Sequence, residues 1–337
     1  MKTFFLIPTL SALIVSLFAF GQSANKKNLT DLEKMGIKGN VKSLRKTTYK
    51  AIDNLGEIKK QMSNDTSFTF DRKGNKILEQ WYYEFKGEIK PDSKKISHKY
   101  DTAGNPIEWT ISTTEGKILT KVINKYGNRG NIIEKTIYDN DALYNEAVVR
   151  KKFFFKYDDK GNQIEGNCYD KDGNSIEKTT SKYDQNGNEI EFCSSGLKLI
   201  CKYENNKKVE VKKYNNDLLN QTVTYEYDDK GNTIEESAVA SNGDLIHKLI
   251  YKYDNNNNQI EGAMYQQGFF QIDFVGKFTS KYDERNNLIE KAVYNKDDTV
   301  KDKLTRKYEY DAKNNWTKMT EYKNQIIQAI VERKFEY

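Results

Sequence analysis

Residues 156–165 read KYDDKGNQIE, and the phrase returns as KYDQNGNEIE at 182–191 and as KYDNNNNQIE at 252–261. Recurrence of this kind marks a repeat architecture. The aromatic before the turn recurs at Phe70, Tyr100, Tyr126, Tyr157, Tyr183, Tyr203, Tyr227, Tyr253, Tyr282 and Tyr310, at intervals of 20 to 31 residues. Tyr337, the last residue, is in phase with the same series. The residues after each aromatic are those of a turn. Asp101, Asp158, Asp184 and Asp228 can each bond backbone downstream of themselves, and Gly104, Gly161, Gly187 and Gly231 supply a positive φ. After Asp254, Asp283 and Asp311 the glycine position is held by Asn257, Asn286 and Asn314. Asn is the residue after Gly that best tolerates left-handed backbone, so the position demands a conformation and not a chemistry.

A second, looser turn follows in YDKDGN (169–174), SNGD (241–244), YQQG (265–268) and YNKDD (294–298). Two turns per repeat leave room for two short strands, hairpin after hairpin, or about 20 strands in all. The strands alternate as a half-buried sheet should: Phe153, Phe155 and Tyr157 before the turn, Ile164 and Cys168 after it. The charges suggest a register. With Tyr157 opposite Ile164, Lys156 faces Glu165 on the other side of the sheet. The same register pairs Lys99 with Glu108, Lys125 with Glu134, Lys182 with Glu191, Lys252 with Glu261 and Lys281 with Glu290. Glu226 facing Glu235 breaks the pattern.

The ends are of another kind. A Lys2 start, an apolar run from Phe4 to Phe20 and small residues before Gln22 read as a cleaved secretory signal over 1–21. Cleavage lowers the formal charge of +6 by one Lys, to +5, with the two signs interspersed. That excludes the clustered positive face of a nucleic-acid binder. No second stretch is apolar enough to span a membrane once the signal is removed. Residues 22–45 read as a cap: Thr30-Asp31-Leu32-Glu33 has the form of a capping box, with a short helix over 30–35 placed to cover a sheet edge. The repeat array is assigned to 46–337.

The Tyr-Asp-x-x-Gly-Asn phrase, clearest at Tyr100–Asn105, Tyr157–Asn162, Tyr183–Asn188 and Tyr227–Asn232, resembles the YD (RHS-type) repeat, over about residues 66–337. The structural positions of that resemblance are Tyr100, Asp101, Gly104, Tyr157, Asp158, Gly161, Tyr183, Asp184, Gly187, Tyr227, Asp228 and Gly231, with Tyr253, Asp254, Tyr282, Asp283, Tyr310 and Asp311 in the late repeats. The resemblance implies a secreted or surface array of hairpins in a long, curved sheet. In large relatives such a sheet encloses a toxin, and some members are described as carbohydrate-binding. This chain departs from the large relatives in being small and in ending on its repeats.

Chemistry is sparse. The two histidines, His98 and His247, occupy positions where other repeats put an aromatic, and His247 lies beside Asp244. A catalytic triad would need a nucleophile and an orienting acid around them. Glu165 and its equivalents recur at a fixed repeat position, which suits cross-strand pairing better than a glycosidase carboxylate pair. DKDGN at 170–174 has part of a calcium loop but not its downstream ligands. Cys168, Cys193 and Cys201 lack zinc-ligand spacing and leave open one bridge with a free thiol, or three packed thiols. No cofactor or metal is expected. What remains is aromatic surface: Trp81, Tyr82 and Tyr83, Trp109, and the run GAMYQQGFFQIDF (262–274). Aromatic faces stack on sugar rings and also anchor protein contacts.

The sequence therefore predicts an all-β protein of tandem antiparallel hairpins in an elongated or curled meander sheet, with a β-propeller as the alternative. It predicts a non-enzymatic envelope module in the periplasm or at the cell surface. The partner is an envelope polysaccharide held on Trp81, Tyr82, Tyr83 and Trp109, or a protein captured at the terminal strand 326–337, read as an open edge. An envelope hydrolase is the weakest of the three readings.

Overall fold

The computed structural model describes residues 29–54, 57–85, 88–140, 147–268 and 272–337. The signal read at 1–21 lies outside them. Among the described residues one short helix, α1 (Asp31–Lys34), precedes twenty-two strands. They are β1 (Ser43–Asn54), β2 (Glu57–Phe70), β3 (Lys76–Phe85), β4 (Glu88–Tyr100), β5 (Pro106–Thr113), β6 (Ile118–Tyr126), β7 (Ile132–Asn140), β8 (Ala147–Tyr157), β9 (Gln163–Asp170), β10 (Ser175–Tyr183) and β11 (Glu189–Ser194). Then follow β12 (Leu197–Glu204), β13 (Lys207–Asn215), β14 (Leu218–Tyr227), β15 (Thr233–Ala240), β16 (Leu245–Tyr253), β17 (Gln259–Gln267), β18 (Ile272–Tyr282), β19 (Leu288–Tyr294), β20 (Val300–Tyr310), β21 (Trp316–Lys323) and β22 (Ile326–Glu336). The described chain divides into two compact units, one of residues 98–111 and 118–195, the other of residues 29–97, 112–117 and 196–337.

The recurring turn is built as its residues dictate. In the first unit Asp158 N–H donates to Asn162 O (2.9 Å) and Gly161 N–H to Asp158 O (3.1 Å). The Asp158 carboxylate accepts from Lys160 N and Asn162 N through Oδ1, and from the Asn162 side-chain amide through Oδ2 (2.9 Å). Gly161 sits at φ 85°, and its equivalents Asn257, Asn286 and Asn314 sit at 64°, 61° and 61°. The final Asn of the motif is thus the clamp on the Asp carboxylate, repeated at Asp184–Asn188, Asp228–Asn232 and Asp254–Asn258. The second turn at 170–174 closes with the same Asp170–Asn174 contacts. Other hairpins in the second unit use two-residue turns with both residues left-handed, Asn205–Asn206 (50°, 61°) and Asn324–Gln325 (49°, 70°), as a type I′ turn requires.

The register departs from the expected one at a single place per hairpin. Lys156 does face Glu165, but Tyr157 faces Gln163 and not Ile164, with a β-bulge between Lys156 and Tyr157. Two counts conflict here. The turn pairs Asp158 with Asn162 and so puts Tyr157 opposite Gln163, while the charge pairing is one residue out of step. Ile164 is the extra residue that reconciles them, and it is left 37% exposed instead of covered by Tyr157. The same bulge recurs at Tyr126, Tyr183, Tyr227, Tyr253, Tyr282 and Tyr310.

The tyrosine has another task. Tyr157 donates its hydroxyl to Ile132 O (2.7 Å) and Tyr183 to Gln163 O (2.9 Å). Ile132 faces Tyr126, and Gln163 faces Tyr157. In the second unit Tyr227 reaches Lys208 O and Tyr253 reaches Thr233 O by the same rule. These hairpins are stitched to the carbonyl opposite the preceding tyrosine, which Phe could not do; at Tyr310 the hydroxyl instead donates to the Asp283 carboxylate, and Tyr308 takes the Leu288 carbonyl. On the other face the expected ion pairs are closed: Lys99–Glu108, Lys125–Glu134, Lys156–Glu165, Lys182–Glu191, Lys252–Glu261 and Lys281–Glu290, at 2.7 to 3.0 Å. Glu226 does lie opposite Glu235. Lys248 takes up the charge of Glu235 from the next strand, at 2.7 Å.

All twenty-two strands belong to one sheet. Within the second unit β1 pairs with β2 on one side and with β22 on the other, the latter from Ser43↔Glu336 to Lys50↔Ala329. The sheet is therefore closed, an antiparallel barrel topology. This corrects both the open meander and the propeller: the sheet has no separate blades, and its last strand has no free edge. β22 is hydrogen-bonded to β21 and β1 alike. Closing removes the unpaired N–H and C=O rows that an open sheet would expose.

Residues 29–42 seat on that seam and do not cover an edge. The capping box of α1 is formed by Thr30 and Glu33. Leu32 N–H donates to Gly74 O, Lys76 N–H to the Asp31 carboxylate, and Asn315 holds both N–H and C=O of Lys38 at 2.8 Å. Leu32, Ile37, Val41, Leu44 and Phe70 form a buried cluster, with Phe68, Phe335 and Tyr337 packed against it. The three cysteines are free thiols, Cys168 and Cys201 buried.

Candidate functional site

The three aromatics at 81–83 take different surroundings. β3 pairs regularly with β2, Thr66 opposite Trp81 and Asp65 opposite Tyr82. Along β4 it does not: Gln80 faces Lys95, but Tyr82 faces Pro91. Residues 92–94 therefore bulge opposite Trp81 alone. Pro91 has no N–H to lose at such a break. The buried Gln80 amide bridges the gap, donating to Trp81 O (2.8 Å), Asp92 O (3.1 Å) and Lys94 O (3.1 Å). Bulges of this kind re-aim side chains and concentrate next to functional sites.

Tyr82 turns to the opposite face and is committed to structure. Its ring lies 4.6 Å from the Arg45 guanidinium carbon, and its hydroxyl is 3.2 Å from Ser67 Oγ. Arg45 grips Asp65 through Nε (3.1 Å to each oxygen) and Nη2 (2.6 Å), and Thr47 donates to the same carboxylate (3.0 Å). The hydrogen bond to Asp65 raises the guanidinium pKa above its ordinary value. Asp65 is only 1% exposed, so the pair fixes β1, β2 and β3 from beneath. Trp81 and Tyr83, two residues apart, share the other face. Tyr83 is 46% exposed and Trp81 is half-buried. At ~3.3 Å per residue their rings stand roughly 6 to 7 Å apart along the strand.

Trp109 belongs to the other unit, on β5, half-buried next to Glu108, which binds Lys99 and Lys121. The structure thus joins Trp81 and Tyr83 on one face, puts Tyr82 on the other, and places Trp109 in a different unit. In the run 262–274, Tyr265 and Phe274 pack ring to ring at 5.5 Å, while Phe269 and Phe270 lie outside the described residues. Sequence reasoning missed the third tryptophan. Trp316 packs edge-on against Tyr308 and receives Arg333 on its face. Its signal was a Trp standing where other repeats put a residue such as Gln163 or Thr233, directly opposite the repeat tyrosine.

His247 pairs with Glu236 at 3.1 Å and not with Asp244, which accepts from Asn242. Tyr225 and Tyr251 flank the pair, each pushed up to about 12 by burial and then by the Glu236 charge. Among the described residues no nucleophile is hydrogen-bonded to His247, and the contact is a cross-strand hydrogen bond with Glu236. Cys168 is raised by burial, away from thiolate reactivity.

No family model matches the chain, and no curated protein matches it. The YD-repeat resemblance therefore rests on the motif residues themselves. Among solved structures the chain is similar to a Tc holotoxin pore of Photorhabdus luminescens (13% identity, 80% of this chain and 19% of that one, TM-score 0.37). It is also similar to a porin-like protein of Bacteroides uniformis (10% identity, 88% and 96%, TM-score 0.29) and to one of Bacteroides vulgatus (12%, 76% and 97%, TM-score 0.20). The chain spans about a fifth of the Tc toxin chain it matches. At these scores the likenesses carry no argument about function.

Proposed function

We propose that the protein is an exported, non-enzymatic binding module of the cell envelope that holds a carbohydrate on Trp81 and Tyr83. One observation carries this reading: Tyr83, exposed, and Trp81, half-buried, share one face of β3 opposite the β4 bulge, while the Tyr between them is locked by Arg45 and Asp65 on the other. A rigid platform loses little entropy when a sugar ring stacks on it. Asn64, exposed and held by the buried Thr66 hydroxyl at 2.9 Å, can meet sugar hydroxyls.

An aqueous setting is supported by the composition of both strand faces. The Lys–Glu ladder occupies one. Among the described residues the tyrosine-bearing face also carries Lys135, Glu177, Glu236, His247, Arg306 and Glu321. Neither face offers the continuous apolar band that a lipid-facing strand needs.

The test is retention of residues 22–337 on native envelope fractions, with and without prior protease digestion of those fractions. The reading expects binding to survive digestion, to be lost in Trp81→Ala and Tyr83→Ala, and to persist in the second-unit control Tyr265→Ala. Loss of binding on digestion, or full retention by both aromatic variants, would overturn it.

A further inference from the structure

The sheet rows around the seam bring together two cations that the ion-pair ladder leaves out. Arg333 on β22 lies directly opposite Lys46 on β1, and Lys46 lies opposite Thr66 on β2. Like charges placed directly across a strand pair repel. Elsewhere in this chain the lysines of the ladder face glutamates, as at Lys156–Glu165. Here, among the described residues, neither Lys46 nor Arg333 has an ion pair or a side-chain hydrogen bond.

Arg333 is nevertheless only 8% exposed. Its guanidinium carbon lies 4.1 Å from the centre of the Trp316 ring and 4.8 Å from that of Phe335. Asp311, whose charge acts on Arg333, accepts from the Tyr337 hydroxyl and from the amides of Lys313 and Asn315. Burial pulls the Arg333 pKa down to about 10, which leaves it a cation at neutral pH. None of its nitrogens is both sealed from solvent and without a partner. Glu79, on the same face of β3, is bound to Lys76 at 2.6 Å and cannot neutralise the pair.

We propose that Arg333 and Lys46 form an oxyanion-binding site, taking a sulfate, phosphate or carboxylate group in the plane of the guanidinium, with the Trp316 and Phe335 rings as walls. The two ring contacts hold the guanidinium, whose planar fork suits bidentate contact with an oxyanion, and Lys46, exposed, adds a point charge from β1. The anion relieves the repulsion between two facing cations. The site stands whether or not Trp81 and Tyr83 bind sugar.

Titration of residues 22–337 with inorganic sulfate and phosphate, against chloride at equal ionic strength, tests it. The readouts are the Tm and the Arg333 Nε–Hε resonance. The expected result is a saturable shift in both. Arg333→Met, which keeps the packing volume, raises the dissociation constant at least about tenfold and Lys46→Gln severalfold, while Lys156→Gln leaves it unchanged. A parallel titration with polygalacturonate separates a free anion from a polymer-borne carboxylate. Binding of either kind that depends on Arg333 supports the site. Absence of saturation with all three probes, or wild-type affinity in both Lys46→Gln and Arg333→Met, overturns it. If Arg333→Met does not fold, the resonance shift and Lys46→Gln decide.

Discussion

The turn glycine is the position where the physical account can be pressed hardest, and Gly104 isolates it. Its φ is +86°, and a Cβ built there meets no heavy atom within 4 Å. Any cost of substitution is therefore backbone strain and not a clash. Left-handed backbone costs an L-residue about 1–2 kcal/mol. Loss of glycine's unfolded-state freedom returns about 0.4–1 kcal/mol, so Gly104→Ala should destabilise by about 1 kcal/mol. Gly104→Asn should cost about half of that or less, because Asn can bond its own backbone there. Gly104→Val, β-branched, should cost ~2 kcal/mol or more. The converse change, Asn286→Gly at φ 61°, should be within about 0.5 kcal/mol of neutral. Urea unfolding followed by circular dichroism gives the order through the midpoint at constant slope. Equal costs for Asn, Ala and Val would refute the claim that this position selects a conformation.

Three other outcomes follow from the stitching and the charges. Tyr157→Phe removes the 2.7 Å bond to Ile132 O and should cost about 1–2 kcal/mol in urea unfolding, since a half-buried carbonyl loses its donor; Ile164→Ala, at an exposed bulge, should cost less. Asp65→Ala removes the charge-assisted hydrogen bonds from Arg45 and Thr47 and, with Arg45 left partly solvated, should cost about 1.5–3 kcal/mol, measured by thermal unfolding against Glu204→Ala on the exposed surface. Acid should weaken the fold in a defined window. Hydrogen bonds from Lys156, Asn167 and Lys178 hold Glu165 down to about 2, and those from their turn asparagines lower Asp184, Asp228 and Asp254. Because these folded-state values lie below the unfolded ones, the stabilisation is present above about pH 4.5 and is lost as pH falls toward 2. A Tm profile that stays flat from pH 5 to about pH 2.5, beyond the range where free carboxylates titrate, would contradict it.

What could be read from the sequence was local. The Asp, the positive-φ Gly or Asn and the Lys–Glu pairs each announce a contact within one hairpin, and those contacts are present. The bulge at Ile164 was hidden because two correct local rules, the turn count and the charge pairing, differ by one residue. Nothing in either says that an extra residue reconciles them. The hydroxyl of Tyr157 binds the neighbouring hairpin at Ile132, so its reason lies outside the motif that contains it. The closure was least legible. SLRKTTYK (43–50) carries no repeat phrase, yet it pairs along its length with β22, a contact between the two ends of the described chain. At the candidate site, Trp81 and Tyr83 were visible as aromatics, but the excess of residues 92–94 that presents Trp81 is marked only by Pro91. The pinning of Tyr82 depends on Arg45 and Asp65 in two other strands. Arg333 was missed because an arginine in a charged strand looks like another rung of the ladder.

The closed sheet rests on the β1–β22 seam, and a cross-link across it is the most direct measurement. Thr47 lies opposite Glu332, and directly opposed residues of antiparallel strands have Cα atoms about 4.5–5.5 Å apart, within the span a disulfide bridges. The account predicts that Thr47→Cys/Glu332→Cys oxidises within the monomer, that peptide mapping joins residue 47 to residue 332, and that unfolding then needs more urea than in the reduced form. Reduced thiols after oxidation, or disulfides found only between chains, would mean that the first and last strands do not meet.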